Sequence, residues 1–289
     1  MTNVGKVLNA FELEFDLPRI QGMVFTEKFK LVNHAKLIYL EAIWAAEHGV
    51  EQLNTSPRYT FNKTYNLFAT LLTNGISAER LKEIILNYAR NFEKSNTYYA
   101  QTVFVGIGVL MIHAHFTPES IYNYLLSLLG REFLLENLRY KGKPDLPETT
   151  ELQVDSEIVY KPFEGQMRDL KYELLALLRL RSQNGLHYIM TFLNEKYADD
   201  ELKFYFNMLH TDQVEVSTAL YKSLSRDLDT IQRLKLAGAY AILKNEDTYT
   251  THYLFNSIIG KYSRYDKASG EIESELLTKY APLQKLIEG

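Results

Sequence analysis

The chain has 289 residues, 46% of them hydrophobic and 24% charged, with 14 glycines and 7 prolines, a balance that excludes disordered, collagenous and low-complexity classes. Its length supports one large domain or two modest ones, with a core that needs neither disulfides nor structural metals. The absence of cysteine removes thiol nucleophiles, disulfides, thiolate zinc sites and iron–sulfur clusters, and 32 basic against 36 acidic side chains, net -4, argue against a broad phosphate-neutralising face.

The N-terminal stretch MTNVGKVLNAFELEFDLP carries one lysine and then two glutamates within an amphipathic pattern. It lacks the basic head and continuous apolar body of a secretory signal, so a cytoplasmic protein is expected. From there nearly every segment has helical periodicity. Helices are predicted at about Thr26–Gln52 and Thr60–Thr73, and then in SAERLKEIILNYARNFEK, where Leu81, Ile84, Ile85, Tyr88 and Phe92 share one face. The next, Thr97–His113, lies in a segment without Asp, Glu, Lys or Arg from Ser95 to Pro118. Its apolar centre, Val103–Ile112, is shorter than the roughly 20 residues a bilayer requires, which points to a buried core helix. Gly106 and Gly108 would let neighbouring helices approach it closely. Thr117 and Pro118 then supply a hydroxyl cap and an N-terminal proline for another helix.

Residues 141–163 are the one extended interruption: the stretch from Lys141 to Gly165 holds three of the seven prolines and alternates apolar with polar residues around Leu152–Tyr160. It reads as a linker or long loop with one short β-like stretch. Helices resume at about Glu164–Ser182, Leu186–Lys196, Asp199–Leu209, Asp212–Ser225, Asp229–Lys244, Thr248–Tyr262 and Gly270–Tyr280. The expectation is an all-α protein of about a dozen helices, in an irregular helical bundle or α-solenoid-like array, with an N-terminal part at 1–140 and a C-terminal part at 164–289. Residues 1–140 hold 13 basic and 13 acidic side chains, so the net charge belongs to the remainder. Aligning ISAERLKEIIL from Ile76 with FTPESIYNYLL from Phe116, an offset of 40 residues, raises the question of a helical repeat.

The chemistry-bearing patterns are sparse. No phosphate loop, dinucleotide fingerprint or nucleophile elbow is present, and Gly106-Ile107-Gly108 sits inside an apolar run, where packing explains it. Metal sites in helical bundles use a glutamate three residues before a histidine; none of the seven histidines has an acid there. His113 and His115 diverge by about 200° on a helix and read as its polar end. Glu41 and His48 are seven apart, so a carboxylate–imidazole pair is geometrically allowed. Asp199-Asp200-Glu201 reads as helix capping rather than a magnesium cluster. No metal or cofactor is expected.

Arg181 and His187, six residues apart between two predicted helices, carry the one resemblance to a catalytic family. The spacing resembles the motif of the HEPN ribonucleases. That resemblance implies His187 in proton transfer and Arg181 in stabilising charge on a scissile phosphate. The match covers these two positions only, and Asn184-Gly185 also reads as a plain interhelical turn.

Aromatics are abundant, with 21 Tyr, 15 Phe and the single Trp44. Tyrosine-rich helices suit packing and protein interfaces, whereas the interleaved basic residues that stacked single strands require are lacking. The leading expectation is a non-enzymatic interaction or adaptor protein that binds another protein through an aromatic-rich helical surface. A helical ribonuclease using Arg181 and His187 is the first alternative, and a membrane-associated helical protein the second. A protein partner is expected, nucleic acid and membrane are not, and small-molecule binding between the two parts is left open.

Overall fold

The computed structural model describes residues 15–91, 95–133, 165–210, 213–260 and 271–288. The predicted linker at 141–163, with its β-like stretch, lies outside them. The protein is all-α: the described residues form thirteen α-helices and one 3-10 helix, with no strand among them. The chain divides into two compact units, Met1–Val159 and Tyr160–Gly289.

The first unit is built around a central helix. Its elements are α1 (Leu17–Gln21), α2 (Phe25–His48), a 3-10 helix (Val50–Thr55), α3 (Lys63–Thr73), α4 (Ala78–Asn91), α5 (Asn96–His113) and α6 (Pro118–Leu129). Every residue of α5 from Tyr99 to Ile112 is buried, as expected of a helix that is apolar all round. Helices α1, α2, α3, α4 and α6 all pack on it. Ser95 caps α5 by accepting from the Tyr98 N–H, and Thr117 caps α6 by accepting from the Ser120 N–H. The two glycines of α5 face different neighbours. A Cβ on Gly106 would lie 2.6 Å from Ile85 Cγ2 of α4, and one on Gly108 would lie 2.6 Å from Ile38 Cγ2 of α2. Two residues turn a helix by about 200°, so the pair lets two helices close on opposite sides of α5. The segments aligned at the 40-residue offset contain α4 and α6, both of which pack on α5.

The second unit has α7 (Gly165–Asn184), α8 (Leu186–Glu195), α9 (Asp200–Leu209), α10 (Val214–Leu224), α11 (Thr230–Lys244), α12 (Thr248–Ile259) and α13 (Glu271–Glu288). Helix α7 contacts α8, α11, α12 and α13, while α11 contacts α7, α9, α10 and α12. A Cβ on Gly238 of α11 would lie 2.7 Å from Leu174 Cδ2; the missing side chain brings α11 close to α7. Asp229 and Gln232 form a capping box at the start of α11, satisfying two otherwise orphaned donors.

Several boundaries differ from the sequence expectation, each for a physical reason. Helix α1 is not predicted, and forms because Asp16 accepts from the Arg19 N–H and Pro18 occupies the first turn. The predicted helix to Gln52 stops at His48, because Gly49 adopts φ 96° and the chain re-enters a 3-10 turn. Gly260, left-handed at φ 76°, ends α12 at Ile259 rather than Tyr262. Helix α13 runs past the predicted end at Tyr280 and contains Pro282. Leu276, Tyr280 and Leu283 are buried at helical spacing on a helix that packs against α7, and this burial carries the helix through the proline, which removes one backbone donor without requiring termination. No helix among the described residues is long and apolar enough to cross a membrane.

Candidate functional site

In the first unit the polar groups converge on Glu41. Helix α2 places this carboxylate on its inward face, where it has no exposed surface. Glu41 Oε1 accepts from Ser56 Oγ at 2.7 Å and from Arg58 Nε at 2.9 Å, and Oε2 accepts from the Tyr65 hydroxyl at 2.6 Å. Burial and the adjacent carboxylate hold the Tyr65 phenol well above its ordinary pKa, because both disfavour the phenolate. Ser56 and Arg58 lie in the loop after the 3-10 helix and Tyr65 lies on α3, so one acid ties both stretches to α2. His48 is not its partner: the imidazole is exposed and stacked on Trp44, with ring centroids 3.9 Å apart. With its three donors supplied from within the fold and no exposed surface, this carboxylate ties elements together, which makes the cluster structural.

In the second unit Lys171 is 1% exposed. Its ammonium donates to Asn256 Oδ1 at 2.7 Å, and Asn256 Nδ2 lies 2.9 Å from His252 Nε2. The sequence carried a signal for this lysine. In MRDLKYELLALLRL, Lys171 shares the inward helical face with Leu174, Leu175 and Leu178, a position that ordinarily holds an apolar residue. His252 and Asn256 are likewise one turn apart on the wholly buried stretch of α12.

Asp199-Asp200-Glu201 behaves as a helix start. The Asp199 side chain caps α9 by accepting from the Glu201 and Leu202 N–H groups. Lys235 from α11 reaches Asp199 and Glu201, each at 2.9 Å. Burial works against the Lys235 ammonium, but hydrogen bonds to Glu201 and Asp199 outweigh it and raise its pKa. Among the described residues no group of three His, Asp or Glu side chains is placed to hold a metal ion. His113 and His115 are exposed at the end of α5. Desolvation, with a smaller contribution from His115, lowers the His113 pKa.

Arg181 lies in the last turn of α7 and His187 is the second residue of α8. Gly185, at φ 89°, makes the turn between them. His187 is exposed, and the Arg181 Nε atom is buried without a hydrogen-bond partner. No hydrogen bond or ion pair joins the two side chains among the described residues.

Among the described residues of the first unit, the large apolar side chains left exposed occur together at the start of α2. Val24, Phe25 and Phe29 expose 62%, 61% and 59% of their surface. Phe25 and Phe29 are one turn apart with ring centroids 6.3 Å apart, and Phe133 stacks under Phe25 at 5.2 Å. In the second unit Phe204, Val214 and Val216 are also exposed. The aromatic-rich helices of the sequence include NTYYAQTVF, SIYNYLL and ELKFYFNML. Tyr99, Tyr122 and Tyr205 within them are buried, whereas Phe204 in the third, on α9, is exposed, as are Phe25 and Phe29 on α2. No protein-family model, curated protein or solved structure matches this chain.

Proposed function

We propose that this chain is a helical interaction module that holds another protein against the aromatic face at the start of α2. The observation that supports this reading is the Val24, Phe25 and Phe29 group, exposed at the start of α2 against a buried ring, Phe133. Isolated surface apolar residues are ordinary, whereas adjacent exposed aromatics are characteristic of docking sites. Covering the exposed part of each phenylalanine would contribute about 2–3 kcal/mol from apolar area alone, which is the scale of an interface anchor. The side chains of Glu41 and Asp199 are engaged in hydrogen bonds and ion pairs with their neighbours.

Affinity purification of the tagged full chain from its native cells, with and without Phe25→Ser and Phe29→Ser, tests the reading. Capture of a defined protein by the parent chain and its loss from the double variant, with unchanged circular dichroism, is expected. Equal capture by both would remove the α2 face from the interaction.

A second reading, the helical ribonuclease, draws on one observation. The unpartnered Arg181 Nε lies one short turn before α8, whose N-terminus has no side-chain cap and carries the exposed His187. Uncapped N–H groups and a guanidinium favour an anion. Cleavage of single-stranded RNA that is lost in His187→Ala would establish this activity.

A further inference from the structure

Resting on the reading of the α2 face as a docking surface, we propose that its occupant is a short acidic and apolar segment of the partner protein. Apolar side chains of that segment seat on Phe25 and Phe29, and its carboxylates meet Lys30, Lys36 and Arg131. Unneutralised cations border the rings. Lys30 follows Phe29 directly and is exposed. Lys36 is seven residues beyond Phe29, so it lies on the same helical face about 10 Å further along the axis. Arg131 is exposed two residues before Phe133, the ring stacked on Phe25. None of these cations has an ion pair among the described residues.

The carboxylates of the same region are committed within the fold. Glu132 reaches the largely buried Lys28 at 3.8 Å. A Cβ on Gly130, which sits at φ 129°, would lie 2.8 Å from Glu132 Oε2, so the bare backbone there lets this acid fold back over it. Glu27 accepts from Thr97 Oγ1 at 3.3 Å. The result is an apolar centre with an excess of positive charge on its rim, which an apolar segment with flanking carboxylates complements.

Size and charge select among the occupants. The exposed parts of Val24, Phe25 and Phe29 amount to roughly 300 Å² of apolar surface, against about 800 Å² that each side of a stable interface between folded proteins supplies. A short segment matches that area. A second copy of the chain does not, and a two-fold contact would also set the patch against itself, cation facing cation. Adsorption on an anionic membrane uses clusters of about four to eight basic residues, whereas here Glu27 and Glu132 stand among the cations and would be repelled by the same lipid.

Fluorescence polarisation with the full chain is the test. The probes are a short labelled peptide of leucine and phenylalanine interspersed with glutamate, and its counterpart with lysine in place of glutamate. Saturable binding of the glutamate peptide, about tenfold tighter than the lysine peptide, is expected. The variant Lys30→Glu, Lys36→Glu, Arg131→Glu, with unchanged circular dichroism, should reverse that preference. Phe25→Ser with Phe29→Ser should lose both peptides. No binding of the glutamate peptide, equal affinity for the two peptides, or an unchanged affinity in the charge-reversed variant overturns the proposal. The docking reading survives those outcomes if the phenylalanine variant still loses its captured protein, so the two failures are distinguishable. A glutamate peptide held equally by the parent and the phenylalanine variant overturns both. Sedimentation of the chain with phosphatidylserine vesicles, lost in the charge-reversed variant, would replace the acidic segment with a membrane surface. A dimer that dissociates in the phenylalanine variant would replace it with a second copy. If the charge-reversed variant does not fold, the two-peptide comparison on the parent chain decides.

Discussion

Arg58 Nε lies 2.9 Å from Glu41 Oε1, and the carboxylate it holds has no exposed side-chain surface. Removing the cation leaves a buried anion with only two hydroxyl donors. Such a change costs far more than the intact pair contributes, because desolvation of the charge is no longer offset. Arg58→Ala should therefore destabilise the first unit by about 3–5 kcal/mol, and Glu41→Gln, which removes the charge as well, by about 1–3 kcal/mol. Urea unfolding of both variants and of the double variant checks this; additive losses would show that the two side chains do not act together.

Gly108 is predicted to reject even a methyl group. A Cβ there meets Ile38 Cγ2 at 2.6 Å, and that methyl branches directly from the Ile38 Cβ, so it cannot swing away. Gly108→Ala gains about 1 kcal/mol of helix propensity but incurs overpacking of about 1–3 kcal/mol. A net loss is expected in thermal unfolding. Adding Ile38→Ala should recover part of that overpacking loss relative to Ile38→Ala alone. A more stable Gly108→Ala chain would contradict the packing account.

The first unit should lose stability in alkali through Tyr65. Burial and Glu41 raise the Tyr65 pKa in the folded state, while the unfolded phenol titrates near about 10. Above that pH the unfolded chain has released a proton that the native chain retains, so the stabilisation present below about pH 10 declines as pH rises. Tyr65→Phe should show a shallower alkaline decline. It should also be less stable at neutral pH by about 1–2 kcal/mol, through loss of one donor to the carboxylate. Equal alkaline slopes in chemical denaturation would argue against Tyr65 as the source.

Arg181 and His187 distinguish the two functional readings. If the α2 face carries the function, His187→Ala and Arg181→Ala leave partner capture unchanged, and purified chain does not shorten a labelled RNA oligonucleotide. Cleavage by the parent chain that disappears in His187→Ala, at an unchanged melting temperature, would favour the nuclease reading instead.

The helical class was readable from local pattern because helix periodicity is a property of neighbours along the chain. The charge-free run from Ser95 to Pro118 announced a helix enclosed on all sides, and Thr117-Pro118 announced a helix start. Gly106 and Gly108 were legible as close-packing positions, but not which helices they admit. That Ile85 and Ile38 fill those spaces is settled by tertiary packing. Helix α13 passes Pro282 for a similar reason, since burial of Leu276, Tyr280 and Leu283 outweighs a local breaker.

Side-chain partnerships were mostly beyond reach of the sequence. Glu41 and His48 share a helical face, yet the carboxylate found Ser56, Arg58 and Tyr65, which are brought back to it by the 3-10 turn after Gly49. Lys171 meets Asn256 across 85 positions, a separation at which no periodicity operates. The amino-acid sequence by itself determined the all-α class, most helix starts and the enclosed rod of the first unit, because these depend on residues within a few turns of each other. Which polar groups pair, and which aromatic rings remain at the surface, only the tertiary structure decided. Those outcomes depend on how whole helices come together.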